Sequence, residues 1–390
     1  MRAQDNPYTP NAGAQPPALV GRDGELQAFE VLLARLLRGH TEQSMLVTGL
    51  RGVGKTVLLT RFQELAWEGG WTTVDAEITK TSDFGARMAN LGRRALLQLA
   101  PRDRWRERAT RAARVLRSFQ LTLRSDGSVT AGFDVDPAEG FADSGLLDED
   151  LTDLFIALGE AAREQGSGVV FLIDEIQFLD APEFEALIAA IHKTVQRQLP
   201  ITLVGAGLPQ LPRLAGEAKS YAERLFKFPR IDRLSDDQAR AALAEPAKRL
   251  GVDFETQALN AVVDFTEGYP YFLQEYGNAL WNQIDEPIVT AADVSLAQAA
   301  VEAKLDGGFF QVRIERTSEL EQRYLRAMAE SGPEPQRAKD VAALLDRTSE
   351  QLAPTRARLI EKGLLYTPGR GLAAFTVPQF DRFMRRTYAL

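Results

Sequence analysis

A glycine-rich octapeptide that ends in lysine and threonine is the first group of residues whose types and spacing suit chemistry. It consists of Gly49, Leu50, Arg51, Gly52, Val53, Gly54, Lys55 and Thr56, and it fits the pattern G-x-x-x-x-G-K-[ST]. Glycines let a loop curl so that successive backbone N–H groups point at phosphate oxygens, and a following helix adds its N-terminal dipole. The Lys55 ammonium would reach the β- and γ-phosphates of ATP, and the Thr56 hydroxyl would ligate Mg²⁺. We therefore predict a phosphate-binding loop, with Val57 also in contact with the nucleotide, rather than a connector that happens to contain glycines.

Two adjacent carboxylates, Asp174 and Glu175, are the second group. They close the apolar run from residue 169 to residue 173, and the carboxyl end of a buried parallel strand faces the crevice in which ligands bind. Asp174 could hold Mg²⁺ through its water shell, and Glu175 could polarise the attacking water. Nucleotide binding needs only the first acid, so the second indicates hydrolysis. A solvated acidic turn is the alternative for this dipeptide alone, and the upstream loop argues against it.

The elements that must position these residues follow from the hydrophobic pattern. The predicted strands are Ser44–Thr48, Trp71–Glu77, Gly168–Ile173 and Ile201–Val204, and helices lie between them. Near-continuous apolar strands that alternate with helices are typical of a parallel sheet covered on both faces. We predict an α/β fold in which residues 20–232 form a three-layer nucleotide-binding core.

Three further regions flank this core. Residues 1–19 contain several prolines and are predicted to form an extended arm. Residues 233–304 are predicted to form an all-α lid, because Ser235 with Gln238 and Thr290 with Asp293 have the spacing of capping boxes. Residues 305–390 form the last unit.

A hairpin is also predicted inside the core, as an insertion at about residues 119–135. Phe119–Leu123 and Val129–Val135 alternate apolar and polar residues around Asp126-Gly127, and Asp-Gly between two alternating runs indicates a tight turn. We assign no chemistry to this insertion.

Composition excludes several classes of protein. The chain of 390 residues has no cysteine, so thiol nucleophiles, disulfides and cysteine-ligated zinc are excluded. The net charge of −8 argues against nonspecific coating of nucleic acid by the whole surface. No apolar run is long enough to span a bilayer, and residues 1–18 have no apolar signal region. Together with ATP use, these features favour the cytoplasm and no membrane partner.

Taken in order, the motifs resemble those of the AAA+ ATPases, in particular the origin-recognition-type and archaeal ATPases with a C-terminal winged helix. The resemblance rests on Asn6–Pro10, Leu19–Leu26, the glycine-rich loop, Asp174-Glu175 and Gly268-Tyr269-Pro270. It implies that Val20, Gly21 and Tyr8 contact the adenine. A plain turn and cap before a helix is the other interpretation of residues 20–22. Tyr269 would either touch the nucleotide or pack the lid.

Two departures from the family pattern bear on the rate of turnover. Relatives carry a polar sensor residue after the strand that follows the Asp-Glu motif, whereas this sequence has Val204–Gly207 there. The lid helix of relatives often offers an arginine to the γ-phosphate, and the segment from Gly268 to Tyr271 has none. The resemblance with these gaps implies a slow, switch-like ATPase that holds ATP or ADP for long periods.

An arginine supplied by a neighbouring subunit would stabilise the charge of the transition state. Arg224 lies at about the right place before the last strand of the core, and Arg213 and Arg230 compete with it. The alternative is a surface arginine paired with Glu223 or Glu217.

The C-terminal unit contains three predicted helices and two strands around Gly369-Arg370-Gly371, which is the winged-helix arrangement. Arg356, Arg358, Lys362 and Arg370 could contact the phosphates or bases of double-stranded DNA. Acidic residues on the same face weaken its positive charge, and winged helices also bind proteins.

Two functions therefore remain. The first is an Mg-ATP-dependent ATPase that couples its nucleotide state to DNA binding by the winged helix. The second is a nucleotide-switched scaffold or signalling protein, with little or no turnover, whose winged helix contacts a partner protein or a second copy of the chain.

Overall fold

A parallel sheet forms the centre of the core. The computed structural model describes residues 2–100, 106–123, 133 and 135–389. Within them, the sheet consists of β1 (Ser44–Thr48), β2 (Thr72–Glu77), β3 (Val169–Asp174), β4 (Ile201–Gly207) and β5 (Phe226–Lys227), in the order β2-β3-β4-β1-β5. Every pairing is parallel, and β1 and β4 are buried along their whole length. The carboxyl ends of β1 and β3 therefore flank that of β4, at the edge where open α/β sheets bind ligands.

Helices cover both faces of the sheet. One face carries α1 (Asp23–Leu37) and α2 (Lys55–Glu68), and the other carries α3 (Phe84–Leu99), α4 (Glu107–Thr122), α5 (Leu147–Glu164) and α6 (Ala181–Gln196). Neighbouring strand residues point to opposite faces, so that Leu172 packs with the first group and Phe171 with the second. The short helices α7 (Leu211–Ala218) and α8 (Ala222–Leu225) precede β5. The predicted three-layer α/β core is confirmed.

The lid is helical, as predicted. It consists of α9 (Asp236–Lys248), α10 (Thr256–Thr266), α11 (Pro270–Gln283) and α12 (Ala291–Lys304), with the two short strands β6 (Asp253–Phe254) and β7 (Ile288–Val289) paired beside them. Both predicted capping boxes are present: the side chain of Ser235 accepts a hydrogen bond from the backbone of Gln238, and that of Thr290 from Asp293. These caps fix where α9 and α12 begin.

The C-terminal unit begins with a π-helical segment, Leu305–Gln311. It continues through α13 (Val312–Ile314), α14 (Glu319–Glu330), β8 (Gln336–Arg337), α15 (Ala338–Ala343), α16 (Ser349–Glu361), β9 (Leu365–Tyr366), β10 (Leu372–Phe375) and α17 (Phe380–Thr387). The strands form an antiparallel sheet in the order β8-β10-β9. The lid and this unit share one hydrophobic core, in which Phe310 lies 6.2 Å from Phe272 and 5.1 Å from Phe383, measured between ring centroids.

The predicted hairpin is partly wrong. Phe119–Leu123 is not a strand, because α4 continues to Thr122 and buries Phe119 among the core helices. The apolar residues of this segment also fit helical spacing, and packing against α3 and α5 decides between the two patterns. Residues 124–132 and 134, which include the predicted turn, lie outside the described residues.

Among the residues that the structure describes, none of the helices combines the length and the apolar composition that a bilayer-spanning segment requires.

Candidate nucleotide site

The glycine-rich loop connects the buried strand β1 to α2. Gly52 and Gly54 have φ angles of 83° and 93°, a region of backbone conformation that favours glycine. Gly49 is constrained by packing instead, since a Cβ atom there would lie 2.5 Å from the carbonyl oxygen of Ile231. The loop therefore takes a tight path that its three glycines permit, and its last residues open directly into the first turn of α2.

Lys55 is held under the loop by neutral groups. Its side chain is 7% exposed, and Nζ donates hydrogen bonds to the carbonyl oxygens of Gly49 and Leu50 at 2.9 and 2.8 Å. Burial lowers the pKa of Lys55 to about 8, although Glu175 and Asp174 favour its charged form. The carbonyls satisfy its donors without cancelling its charge, so Lys55 remains able to attract an anion.

Thr56 and Asp174 meet at the carboxyl edge of the sheet. The Thr56 hydroxyl donates to Asp174 Oδ2 at 2.6 Å, and the backbone N–H of Glu175 donates to Asp174 Oδ1 at 2.8 Å. Burial raises the pKa of Asp174, and these two hydrogen bonds oppose that shift. Hydroxyl and carboxylate oxygens are the hard ligands that Mg²⁺ prefers. The pair would hold Mg²⁺ by replacing their mutual hydrogen bond, and the cation would keep Asp174 ionised.

Glu175 lies beside this pair in a left-handed conformation, with φ of 53°, which costs a non-glycine residue energy. Its carboxylate lines the cavity described below and accepts a hydrogen bond from the Gln177 side-chain amide. The side-chain oxygen of Gln177, Oε1, in turn accepts a hydrogen bond from the backbone N–H of Leu208, at the end of β4, at 3.2 Å. Gln177 thus occupies the region where the sequence showed no polar sensor residue. The sequence offered one signal for it, a single amide within the apolar segment from Ile176 to Phe178.

A cavity of about 430 Å³ opens above the loop. Its size suits a small-molecule cofactor. Nine of the predicted site residues line it, namely Val20, Arg51, Gly52, Val53, Gly54, Lys55, Thr56, Val57 and Glu175. The arm, the lid and the C-terminal unit supply the other walls, so that four parts of the chain meet around one space.

The predicted contacts at the adenine end need correction. Tyr8 is buried in the core of the lid, where its ring packs against Gly277 and its hydroxyl donates to the carbonyl oxygen of Leu243 at 2.6 Å. Gly21 lies under the Gln238 side chain. Tyr269 caps α11 and packs against the lid, while Tyr271 two residues later lines the cavity. Tyr269 thus packs the lid, which was one of its two expected roles, and the aromatic spacing of this helix did not reveal that Tyr271 faces the cavity.

The sequence did not predict a structural role for Arg22. Its buried guanidinium donates to the carbonyl oxygen of Val53 at 3.1 Å and to that of Asp232 at 2.9 Å. It therefore ties the phosphate-binding loop to the junction between core and lid.

The C-terminal unit reaches the cavity directly. The Arg51 backbone N–H donates to the carbonyl oxygen of Thr376 at 3.0 Å, and Gly308, Phe309 and Arg313 line one wall. The sequence did not predict this wall, because the family resemblance places the nucleotide between core and lid alone. Contacts between residues that lie far apart in the chain leave no local pattern.

Arg224 is exposed on α8, outside the lining of the cavity. Glu217, one of its two predicted partners, is paired with Arg213 at 2.8 Å instead. The guanidinium of Arg224 is therefore accessible from outside the molecule.

The four predicted DNA-binding residues do not form one free basic face. Arg358 Nε and Lys362 Nζ donate to the two carboxylate oxygens of Glu321 at 3.0 and 2.6 Å, and the Glu321 side chain is 1% exposed. Burial alone would raise the pKa of Glu321, but hydrogen bonds from Lys362, the Ser318 backbone and Arg358 hold it at about 2. Arg356 is half-buried and Arg370 is exposed in the turn between β9 and β10.

Comparison with known proteins supplies independent information. Residues 18–204 match the model of the AAA ATPase domain, and residues 307–384 match the model of a domain of unknown function (DUF8462). No curated protein matches the chain. The fold is similar to that of the Walker-type ATPase PABY2304 of Pyrococcus abyssi, with 15% identity and a TM-score of 0.59 over 95% of this chain and 97% of that one. It is also similar to the ORC2 protein of Aeropyrum pernix in its ADP form, with 16% identity and a TM-score of 0.56 over 98% of both chains.

The matched segment contains the phosphate-binding loop, Asp174 and Glu175, and its carboxyl limit lies within β4. The two similar structures show the fold, and the domain match agrees with the chemistry of the residues at the cavity. The predicted resemblance is confirmed: the protein is an ATPase, and residues 18–204 match the AAA ATPase domain.

Proposed function

We propose that the protein binds Mg-ATP in the cavity and hydrolyses it slowly in the cytoplasm, and that the bound nucleotide controls the C-terminal unit. One observation carries the proposal: Lys55, Thr56 and Glu175 line one cavity, and Asp174 accepts a hydrogen bond from the Thr56 hydroxyl. An ammonium, a hydroxyl–carboxylate pair and a second carboxylate are the groups that Mg-dependent phosphoryl transfer to water requires.

The residues divide the work. Thr56 and Asp174 hold Mg²⁺, which neutralises charge on the phosphates when bound. Lys55 stabilises the charge that develops on the γ-phosphoryl group. Glu175 accepts a proton from water as the water oxygen bonds to the γ-phosphorus and the bond to the bridging β–γ oxygen breaks, which releases ADP and phosphate. Gln177 orients the Glu175 carboxylate through its amide.

Slow turnover agrees with the resting contacts of these groups. Lys55 is bonded to loop carbonyls, and Thr56 is bonded to Asp174. Each contact has to be exchanged for one with the ligand before the reaction.

The output is proposed to pass through the contact between Arg51 and Thr376. Arg51 belongs to the phosphate-binding loop, and Thr376 directly follows β10 in the sheet of the C-terminal unit. A rearrangement of the loop by nucleotide would therefore alter how this unit is held. We infer that the unit is a winged helix that binds duplex DNA, with exposed Arg370 in its wing.

A second output has a specific observation in its favour. Arg358 and Lys362, on or just after α16, share the Glu321 carboxylate, which offsets one of their two positive charges and so weakens the attraction of this helix for phosphates. A partner protein is then the ligand of the C-terminal unit, and this candidate predicts no salt-sensitive binding to DNA.

The test is Mg-ATP binding and steady-state phosphate release by the wild type and Glu175→Gln, with and without duplex DNA. Loss of a general base lowers kcat by about 10²- to 10⁴-fold, while ATP binding persists. Glu149→Gln, an exposed carboxylate on α5, is the matched control and should change neither quantity. Absence of ATP binding by the wild type would sink the proposal.

DNA and protein outputs are separated by a gel-shift titration at low and high salt. Binding that depends on nucleotide and weakens with salt supports the first output. Its absence in both nucleotide states leaves the protein-binding output.

Arg224 is proposed as the arginine that completes the site of a neighbouring copy. If so, mixing Arg224→Ala with Glu175→Gln restores part of the activity that each variant lacks, because some interfaces then combine two intact halves. No restoration at any mixing ratio would contradict this role.

A further inference from the structure

Three cationic side chains line the cavity. Lys55 lies under the loop, Arg51 projects from it, and Arg313 approaches from the C-terminal unit. Arg51 lies close enough to lower the pKa of both other residues: it adds to burial in Lys55, and burial together with Arg51 lowers the pKa of Arg313 to about 10. Arg51 is thus the middle member of a row of like charges, which is unfavourable without an anion.

The two arginines have no carboxylate partner among the described residues. The Arg313 guanidinium donates to the carbonyl oxygen of Phe309, in its own segment, and lies 4.1 Å from the centroid of the Phe309 ring. Arg51 Nε is buried without a hydrogen-bond partner. Arg326 of the same unit, by contrast, is paired with Glu330. The cations of Arg51 and Arg313 face a cavity in which an external anion would fit.

The position of Arg313 indicates which part of the nucleotide it meets. Apolar side chains that suit a base also line the cavity, namely Leu19, Val20, Leu234, Ala242 and Leu273. Arg313 lies close enough to Arg51 to feel its charge, and Arg51 in turn acts on Lys55 of the phosphate-binding loop. A triphosphate places more negative charge beside this loop than a diphosphate does, so an added cation there favours ATP over ADP.

We propose that Arg313 is a phosphate-sensing residue that the C-terminal unit contributes to the nucleotide site, and that Arg51 and Arg313 together clamp the terminal phosphate of ATP. This proposal rests on the proposed function, because it takes the cavity to be the ATP site. It adds a direct means for the C-terminal unit to distinguish ATP from ADP.

An aromatic column connects the clamp to the lid and the loop. The Phe309 ring stacks on Tyr271 of α11 with 4.7 Å between centroids. Tyr271 in turn packs against Gly52, and its backbone N–H donates to the Gly52 carbonyl oxygen at 3.2 Å. When Arg313 moves toward a phosphate, Phe309 has to shift against Tyr271, so binding at the clamp is transmitted to lid and loop together.

The test compares the affinities of the wild type, Arg313→Gln and Arg313→Lys for Mg-ATP and Mg-ADP by calorimetric titration. Loss of a hydrogen bond between charged groups weakens binding by about 10- to 100-fold. We expect Arg313→Gln to lose this factor for ATP and less than about threefold for ADP, so that discrimination between the two collapses. Arg313→Lys retains the charge but not the paired donors, and its affinity for Mg-ATP should lie between those of the wild type and Arg313→Gln.

Arg316→Gln is the matched control, because Arg316 is an exposed arginine three residues away and should leave both affinities unchanged. A thermal melt of each variant separates loss of binding from loss of folding. If Arg313→Gln does not fold, Arg51→Gln is expected to give the same selective loss. If the folded variants bind ATP as tightly as the wild type does, and ADP likewise, the clamp is overturned while the ATP site stays intact. A wild type that binds neither nucleotide would overturn the proposed function itself.

Discussion

Buried charges are held in two different ways in the nucleotide cavity and in the C-terminal unit. At the cavity, three charged side chains are bonded by neutral groups: loop carbonyls bond Lys55, the Gln177 amide bonds Glu175, and the Phe309 carbonyl bonds Arg313. In the C-terminal unit, the Glu321 carboxylate is satisfied by two cations, Arg358 and Lys362.

The difference separates function from stability. Neutral dipoles complete the hydrogen bonds of an ion but leave its net charge, so an arriving ion of opposite sign still gains from meeting it. An ion pair leaves little net attraction for a third charge, and its members contribute to holding the fold together. We therefore expect substitutions in the cavity to change catalysis and substitutions at Glu321 to change stability.

The largest effect is expected for Lys55→Ala. Removal of one preorganised donor to a developing oxyanion lowers turnover by about 10²- to 10³-fold, which phosphate release under saturating ATP will measure. Lys362→Ala removes an equally charged side chain from the C-terminal unit and should leave turnover within about twofold. A comparable loss in both variants would break the distinction between the two regions.

Gln177→Met tests whether a neutral partner matters to Glu175. Met has a similar length and lacks the amide, so the carboxylate loses its orienting donor. We expect kcat to fall by about 10- to 100-fold with KM for ATP nearly unchanged, in contrast to Gln196→Met on the exposed side of α6. An increase in kcat would mean instead that Gln177 restrains Glu175.

Glu321→Gln should reduce stability but not turnover. The amide cannot replace the charge-assisted hydrogen bonds to Arg358 and Lys362, and we expect a loss of about 1–3 kcal/mol in the free energy of unfolding. Both cations can still reach solvent, which limits the loss. Denaturant unfolding and phosphate release of the same preparation will check both statements.

The stabilising effect of Glu321 is expected to depend on pH. The pKa of Glu321 is about 2 in the folded protein and 4.5 ordinarily, so its stabilising contribution is complete above pH 4.5 and is lost as the pH falls toward 2. The difference in unfolding free energy between wild type and Glu321→Gln should accordingly be constant from pH 5 to 7 and shrink below pH 4.5. A difference that grows on acidification would show that the ion pairs are not its source.

The smallest effect concerns DNA. Arg370 is exposed, whereas Arg358 already has a carboxylate partner. If the C-terminal unit binds duplex DNA, Arg370→Gln should weaken binding by about 3- to 10-fold and reduce the salt dependence by about one phosphate contact. Arg358→Gln should have less effect, and the reverse order would show that Glu321 releases Arg358 in the complex.

Features that depend on a few neighbouring residues could be predicted from the sequence. The glycine-rich loop, the strand that ends at Asp174 and the capping boxes at Ser235 and Thr290 each lie within a short window. Their geometry is fixed by local sterics and hydrogen bonds. Periodicity likewise predicted three helices and two strands of the C-terminal unit, but not the π-helical segment, α13, β8 or α17.

Features that depend on contacts between distant parts of the chain could not be predicted from the sequence. Arg313 and Arg51 are separated by more than half the chain, and no pattern in either segment indicates that both border one cavity. Glu321 likewise lies outside the segment of the two basic residues with which it pairs. Phe119–Leu123 shows the limit of periodicity, because a short segment can satisfy both the helical and the strand pattern until its neighbours are known.

The arm at the start of the chain bears on how long the ATPase retains its nucleotide. Residues between Thr9 and Val20 form a wall of the cavity and are fastened at both ends, by Tyr8 inside the lid and by Arg22 at the loop. The Gln15 side chain adds a hydrogen bond to the Val57 carbonyl oxygen at 3.1 Å. If release of ADP requires this segment to detach, Tyr8→Ala should shorten the residence time of fluorescent ADP in a stopped-flow displacement. An unchanged rate of ADP release would refute this role of the arm. Faster release would mean that the lifetime of the ADP-bound state depends on the burial of Tyr8, far from the phosphate bond that is broken.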